Sequence, residues 1–226
     1  MQAWFTSLRL PARRFMTCDD LILSRATWRW PPKLLALALT ALGLNCYAAP
    51  QDFVIDSAHS FATFEVSHLG ISTQRGRVGN VMGTAMLDEV LGTGNIKLTL
   101  DARSLSTGNE FMEKLLRSDS WFNTEQFPVV VFTASSFSFI EQKPVRIDGQ
   151  LTLRGVTQPV SLDVVSYACT RKPFGARLTC GMDANTVIKR ADFGMDSYAA
   201  FVGNEVKLLI QAEAVRQETP TVKSEP

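Results

Sequence analysis

Two histidines, His59 and His68, stand in a segment that also holds Asp56, Ser57, Ser60, Glu65 and Ser67. Imidazole, hydroxyl and carboxylate are the ingredients of nucleophilic, acid–base and metal chemistry. Their spacing argues against all three. If 61–68 is one continuous strand, His68 shares a face with Phe64 and Val66 while His59 has the opposite parity. The two rings then do not converge on one ion, and no third ligand stands at a useful spacing. The Gly-x-Ser-x-Gly turn that exposes a nucleophilic serine is absent. Asp56 and Glu65 are single carboxylates, and no glycine loop opens a helix to cradle phosphate. Arg154-Gly155-Val156-Thr157 and Arg190-Ala191-Asp192-Phe193-Gly194 read as turns, where glycine takes positive φ and arginine meets a carboxylate or carbonyl. The expectation is no catalytic residue and no metal, with His68 at a strand end near a pocket rim.

The elements that would position any site are strands. Apolar and polar residues alternate over 53–55, 61–68, 79–87, 96–101, 129–139, 145–153, 160–167, 177–183 and 206–215. Gly, Pro, Asn or Asp punctuates most of the gaps. Many short strands of period two predict an all-β antiparallel sandwich or barrel with one sheet face in water. One stretch differs. Thr107-Gly108-Asn109-Glu110 fits a capping box, and Phe111, Met112, Leu115 and Leu116 follow at helical spacing. A short amphipathic helix is expected over 108–118, then an aromatic turn at Trp121 and Phe122.

With catalysis set aside, the excess is in apolar side chains: 14 Phe, 4 Trp and 7 Met in 226 residues. Most such residues form core. An eight-stranded barrel nevertheless encloses room for one small ligand. Phe64, Val66, Met82, Met86, Phe111, Met112, Trp121, Phe122 and Phe132 supply an adaptable lining for an oily ligand. Periodicity alone does not separate a lined cavity from a filled core.

The start of the chain bears on where this happens. Lys33 precedes an apolar run over 34–44, and Cys46-Tyr47-Ala48-Ala49-Pro50 closes it. That is the layout of a secretory signal, too short to span a bilayer. Residues 1–48 are expected to be the signal peptide, with Met16 an alternative start. A twin-arginine signal through Arg13-Arg14 and a lipoprotein through Cys46 are weaker fits, because the remaining motif is missing and Asn45 precedes that cysteine. Removal of 1–48 turns 23 basic and 22 acidic residues into 17 and 20, a net charge near −3. Without a basic cluster, neither nucleic acid nor anionic headgroups find an electrostatic partner. Residues 49–216 form one domain by length, and the polar, Pro-bearing 217–226 are expected to be a disordered tail.

Cysteine usage agrees with export. Cys169 and Cys180 remain after the leader, flanking Lys172-Pro173-Phe174-Gly175-Ala176. A hairpin with a four-residue loop at 173–176 places the two cysteines opposite each other, where a disulfide forms readily in an oxidising compartment. A metal or redox pair lacks neighbouring ligands and the Cys-x-x-Cys spacing.

Five segments in order carry a family resemblance: Ile55-Asp56-Ser57-Ala58-His59-Ser60 with Phe64-Glu65-Val66-Ser67-His68-Leu69-Gly70; Leu116-Arg117-Ser118-Asp119-Ser120-Trp121-Phe122-Asn123; Phe127-Pro128-Val129-Val130-Val131-Phe132; Asp148-Gly149-Gln150-Leu151-Thr152-Leu153-Arg154-Gly155-Val156-Thr157; and Lys189-Arg190-Ala191-Asp192-Phe193-Gly194-Met195. From about Phe53 to Val215 the chain resembles the YceI-like family of exported, lipocalin-like, polyisoprenoid-binding proteins. The resemblance implies an extended eight-stranded antiparallel barrel with a short helix at one side. It also implies a frequent homodimer and a long isoprenoid, quinone or fatty chain in a central channel. No catalytic residue or further cofactor comes with it. His59, Phe64 and His68 match its first-strand pattern, and Trp121-Phe122 its aromatic position after the helix; the cysteine pair is not part of that pattern.

The expected function is a periplasmic carrier of an apolar chain, with passing contact to a membrane or an envelope protein. Burying one isoprene unit contributes roughly 3–4 kcal/mol gross at about 0.8 kcal/mol per methylene-sized group. Ordering a flexible chain offsets much of that. A scavenger of foreign hydrophobic compounds is the nearest rival. A structural barrel with a filled core is the other, and it requires that no channel joins Phe64, Met86, Trp121 and Phe132.

Overall fold

A computed structural model describes residues 50–171 and 177–217. The expected signal peptide, nearly all of the expected tail and the turn centre 172–176 lie outside the described residues. Ten strands make eight staves. The first stave is β1 (Gln51–Ile55) and β2 (Phe61–His68), broken at 56–60. The second is β3 (Ser72–Val78) and β4 (Met82–Asp88), broken at 79–81, where Asn80 takes a φ of 52°. β1 pairs with β4, and β2 with β3. Six single strands follow: β5 (Thr93–Asp101), β6 (Val129–Ile140), β7 (Lys143–Leu153), β8 (Val156–Arg171), β9 (Leu178–Lys189) and β10 (Val202–Arg216).

Every neighbour is antiparallel, and β10 closes the ring by pairing with β2 over Val202–Gln211 and with β1 over Ala214–Arg216. The all-β, eight-stranded antiparallel barrel is therefore up-and-down, and closure removes the sticky edges of an open sheet.

Two expectations change. The strand β3 was not legible, because its inward positions are Gln74, Gly76 and Val78 rather than a run of large apolar residues. A Cβ on Gly76 would lie 2.3 Å from Cζ of Phe64, directly opposite on β2, so the ring occupies the space a side chain would need. The single strand read over 79–87 starts instead at Met82.

The helix α1 spans Glu110–Arg117, and its cap is Asn109, whose side chain accepts from the Met112 N–H at 3.1 Å. Thr107 is not the cap, because Gly108 (φ 77°) still turns the chain before the helix begins. The reach-back comes from Glu113: its Oε1 accepts from the Thr107 N–H (2.8 Å), the Gly108 N–H (3.1 Å) and the Ser106 hydroxyl (3.0 Å). These bonds hold the Glu113 carboxyl below the usual range, the Thr107 N–H contributing most. Arg117 then bonds the carbonyls of Arg103 and Leu105. The 102–109 segment is stitched to β3, where Arg77 and Ser106 exchange N–H···O=C bonds of 2.8 and 2.9 Å. The helix is thus fastened across one end of the barrel.

Cys169 and Cys180 are register partners at the opposite end, with Cα atoms 4.0 Å apart, and they form the disulfide. No helix among the described residues is long and apolar enough to cross a membrane.

Candidate functional site

The barrel is filled at one end and hollow at the other. Phe53, Ala85, Ile96, Ala134, Ile147 and Ala184 are buried and pack the end that carries the disulfide. Toward the helix-bearing end an apolar cavity of about 160 Å³ opens. Alternation builds its wall: Leu98 and Leu100 from β5, Val130 and Phe132 from β6, Leu151 and Leu153 from β7, Val160 and Leu162 from β8. Ile188 of β9 and Val206, Leu208 and Ile210 of β10 continue it, and Phe64 and Val66 of β2 complete the circuit. Leu116 of α1, with Trp121 and Phe122 just after it, closes the end. From Val206 to Ala212 the wall follows β10 for about 20 Å at 3.3 Å per residue.

One charged residue borders this carbon surface. Arg190 is 3% exposed, and its guanidinium is spent on backbone carbonyls: Gly203 at 2.9 Å, Ser197 at 2.8 Å, Val202 at 3.0 Å, and Met195. Burial pushes its pKa down from the ordinary arginine value, with Asp196 opposing. The cation also lies 5.1 Å from the centroid of the Trp121 ring. Arg190 therefore locks the 190–203 connection and leaves no free charge to the cavity. Gly194 at φ 74° ends the short 3-10 helix Arg190–Phe193, and its carbonyl accepts from Arg154 at 2.6 Å. Arg154 and Gly155 make a turn, as their spacing predicts, whereas the 190–194 segment is a 3-10 helix that turns only at Gly194.

Five of the eleven residues expected to line a channel stand on this wall: Phe64, Val66, Trp121, Phe122 and Phe132. Six do not. Met82 (61% exposed) and Met86 face outward, because the register Phe53↔Ala85 turns Ala85 and its parity mates Gly83 and Leu87 inward. Phe111 is 82% exposed on the outer face of α1. Met112 packs beneath α1 against Phe64, Val78, Leu105, Leu116 and Trp121, behind the lining rather than on it. His68 keeps the inward parity of Phe64 and Val66 but lies past the cavity, at the end of β2. His59 sits outside the barrel, its Nδ1 2.9 Å from Asp56 Oδ2. The aliphatic pairs of β5 to β8 were missed, although their alternation was visible in the sequence.

Chemically this wall can exclude water and hold hydrocarbon. An apolar cavity of comparable size stays dry and accepts a benzene-sized group. A longer chain needs the ring of Phe122 to turn or α1 to lift. The rings of Phe64 and Phe122 meet in this closure, 6.4 Å between centroids.

Comparison with known proteins agrees with this architecture. The model of the YceI-like domain matches residues 53–214. A UPF0312 protein of Photorhabdus laumondii is 34% identical over 189 residues, covering 82% of this chain and 97% of that protein. Among solved structures, Burkholderia cenocepacia BcnA superposes with a TM-score of 0.59 at 19% identity, over 70% of this chain and 98% of that one. A polyisoprenoid binding domain from Saccharophagus degradans gives a TM-score of 0.52 at 18% identity, over 73% and 98%. On the strength of the domain match and that relative, the chain belongs to the YceI-like family.

Proposed function

We propose that the protein is a periplasmic carrier that holds one long apolar chain, a polyisoprenoid, quinone or fatty derivative, and does no chemistry on it. The observation that carries this reading is the cavity wall, made of carbon on every stave and capped by α1. A lining without nucleophile, acid–base pair or free charge favours binding over turnover. The Saccharophagus degradans neighbour, described as polyisoprenoid binding, supports a ligand of that class. The leader pattern and the disulfide support export.

The helix-bearing end also suits loading from a bilayer. Leu69, Ile71, Tyr198 and Phe201 are exposed there on two adjoining tips, joined by a 2.7 Å bond from the Leu69 N–H to the Phe201 carbonyl. Water-insoluble cargo resides in membranes, so this rim dips into a lipid surface while the cavity beneath receives the chain.

Native mass spectrometry of gently extracted protein tests the reading. A bound lipid of one or a few masses is expected, displaced by added polyprenol. Protein that carries no lipid and takes none up while fully folded overturns it. Equal displacement by unrelated apolar compounds favours the scavenger over the dedicated carrier.

A further inference from the structure

The break between β1 and β2 brings together three side chains that sequence spacing kept apart. Asp56 and His59 lie on the 56–60 connection, and Glu213 arrives from β10, 154 residues after His59. One ligand atom from each lies within 4.8 Å of the other two. We propose that Asp56, His59 and Glu213 form a divalent-metal site on the outside of the barrel, at the seam where the ring closes. This site is separate from the cavity and does not depend on the carrier reading.

The distances suit an ion. Tetrahedral coordination at about 2.1 Å places ligand atoms about 3.4 Å apart. The Asp56 Oδ2–His59 Nδ1 separation of 2.9 Å and the 4.8 Å limit on the trio bracket that value, so small side-chain rotations complete the set. The donors are one imidazole and two carboxylates, which favour first-row ions such as Zn²⁺ and Cu²⁺ over Mg²⁺ or Ca²⁺. With His59 55% exposed, a fourth position stays open to water. His59 and His68 still face opposite ways and share no ion. The third ligand comes instead from β10, as Glu213.

The backbone beneath the trio is already fixed. The Asp56 N–H donates to the Glu213 carbonyl (2.8 Å), and the His59 N–H to the Asp56 carbonyl (3.1 Å). The Ser60 hydroxyl accepts from the Glu213 N–H at 3.0 Å. Gln211 Nε2 reaches the His59 carbonyl at 3.2 Å. Strand pairing stops here: β10 meets β1 up to Ala214 and β2 from Gln211, so Ala212 and Glu213 face the break itself. An ion shared by Asp56, His59 and Glu213 would tie β10 to both halves of the first stave. Metal binding would then stabilise the closed barrel by linkage.

Calorimetric titration of untagged protein with Zn²⁺ tests the site. The chain has two histidines, so NMR resolves both rings in the wild-type protein without any substitution. Zn²⁺ is expected to shift the His59 ring resonances and leave those of His68 in place. His59→Gln and Glu213→Gln are each expected to weaken one equivalent of Zn²⁺ at least tenfold and to abolish a Zn²⁺-dependent rise in Tm, whereas His68→Gln changes neither. Unmoved His59 resonances, or variants that take up Zn²⁺ as the wild type does, overturn the proposal.

Discussion

The rings of Tyr198 and Trp121 stack, 6.0 Å between centroids and 13° from parallel, so an exposed rim residue rests directly on the cavity wall. Tyr198 is held there at a φ of 59°, a conformation that costs a non-glycine residue free energy. The 190–203 connection maintains it through the four carbonyl bonds of Arg190. Outer surface and cavity wall thereby meet at one pair of rings.

The exposed side chains of this rim predict how the protein behaves on lipid. Ile71 is 83% exposed at the β2–β3 tip, beside Leu69 and Phe201. Burying a large aliphatic side chain contributes about 1.5–3 kcal/mol. Ile71→Asp with Phe201→Ser should reduce sedimentation with phosphatidylcholine vesicles by tenfold or more and slow lipid uptake, with Tm unchanged. Binding that instead grows only with anionic lipid would point to charge rather than this rim.

The contact between Phe64 and Gly76 predicts a change inside the cavity. Gly76→Ala would place its Cβ 2.3 Å from Phe64 Cζ and 3.0 Å from Thr107 Cγ2, so the ring must move toward Phe122 and into the cavity. Overpacking of this kind costs about 1–3 kcal/mol. We expect Gly76→Ala to lower stability by that amount and to weaken binding of a fluorescent fatty chain. Denaturant unfolding and a binding titration read the two effects separately.

Glu113 ties the start of α1 to the 106–108 segment, so the hold of α1 on the barrel end should depend on pH. Its folded pKa is lowered, chiefly by the Thr107 N–H, with the Ser106 hydroxyl, the Gly108 N–H and Arg117 adding to it. The stabilisation it contributes is therefore complete above the ordinary carboxylate value of about 4.3 and is lost as pH falls through the lowered folded value. Wild-type protein should release a bound apolar probe faster as pH drops below the ordinary carboxylate range. In Glu113→Gln the amide oxygen still accepts the backbone bonds but carries no charge, so release should be faster at neutral pH and flatter with acid. Stopped-flow release between neutral and acid pH measures both.

Much of the barrel could be read in advance from particular residues. Leu98 and Leu100, and Leu151 and Leu153, alternate with polar neighbours and face the cavity, as do Val130 and Phe132 within the apolar run 129–132. Alternation failed where the interior residues are small. On β3 and β4 the inward positions include Gly83, where a Cβ would meet the Lys97 carbonyl of β5, and Gly76 and Ala85, which stand opposite the bulk of Phe64 and Phe53 on the paired strands. That bulk belongs to a neighbouring strand and has no local signature. Met82 and Met86 were misplaced for the same reason: they were the larger residues on their strand, yet pairing with β1 turned the small ones inward. The cap at Asn109 was hidden by a second cap-like residue, Thr107, two positions earlier. Glu213 could not be associated with His59 because the seam that joins them exists only once the barrel closes.

The disulfide supplies the last prediction, and it separates stability from binding. Cys169 and Cys180 close a short loop at the filled end of the barrel, away from α1 and the cavity wall. A cross-link of this span contributes roughly 2–3 kcal/mol by restricting the unfolded chain. At about 2–4 °C per kcal/mol for a domain of this size, Cys169→Ser with Cys180→Ser should lower Tm by roughly 5–10 °C. The cavity is lined from the other half of the staves, and the strand pairs next to the cysteines, Ala168↔Gly181 and Thr170↔Thr179, keep their backbone bonds without the sulfur bridge. Affinity for an apolar probe well below the new Tm should therefore stay within about twofold of wild type. Calorimetry and a binding titration on the same sample test both halves. A matched loss of affinity would mean that the filled end and the cavity open together, and that the plug of Phe53, Ile96 and Ile147 does not insulate one from the other.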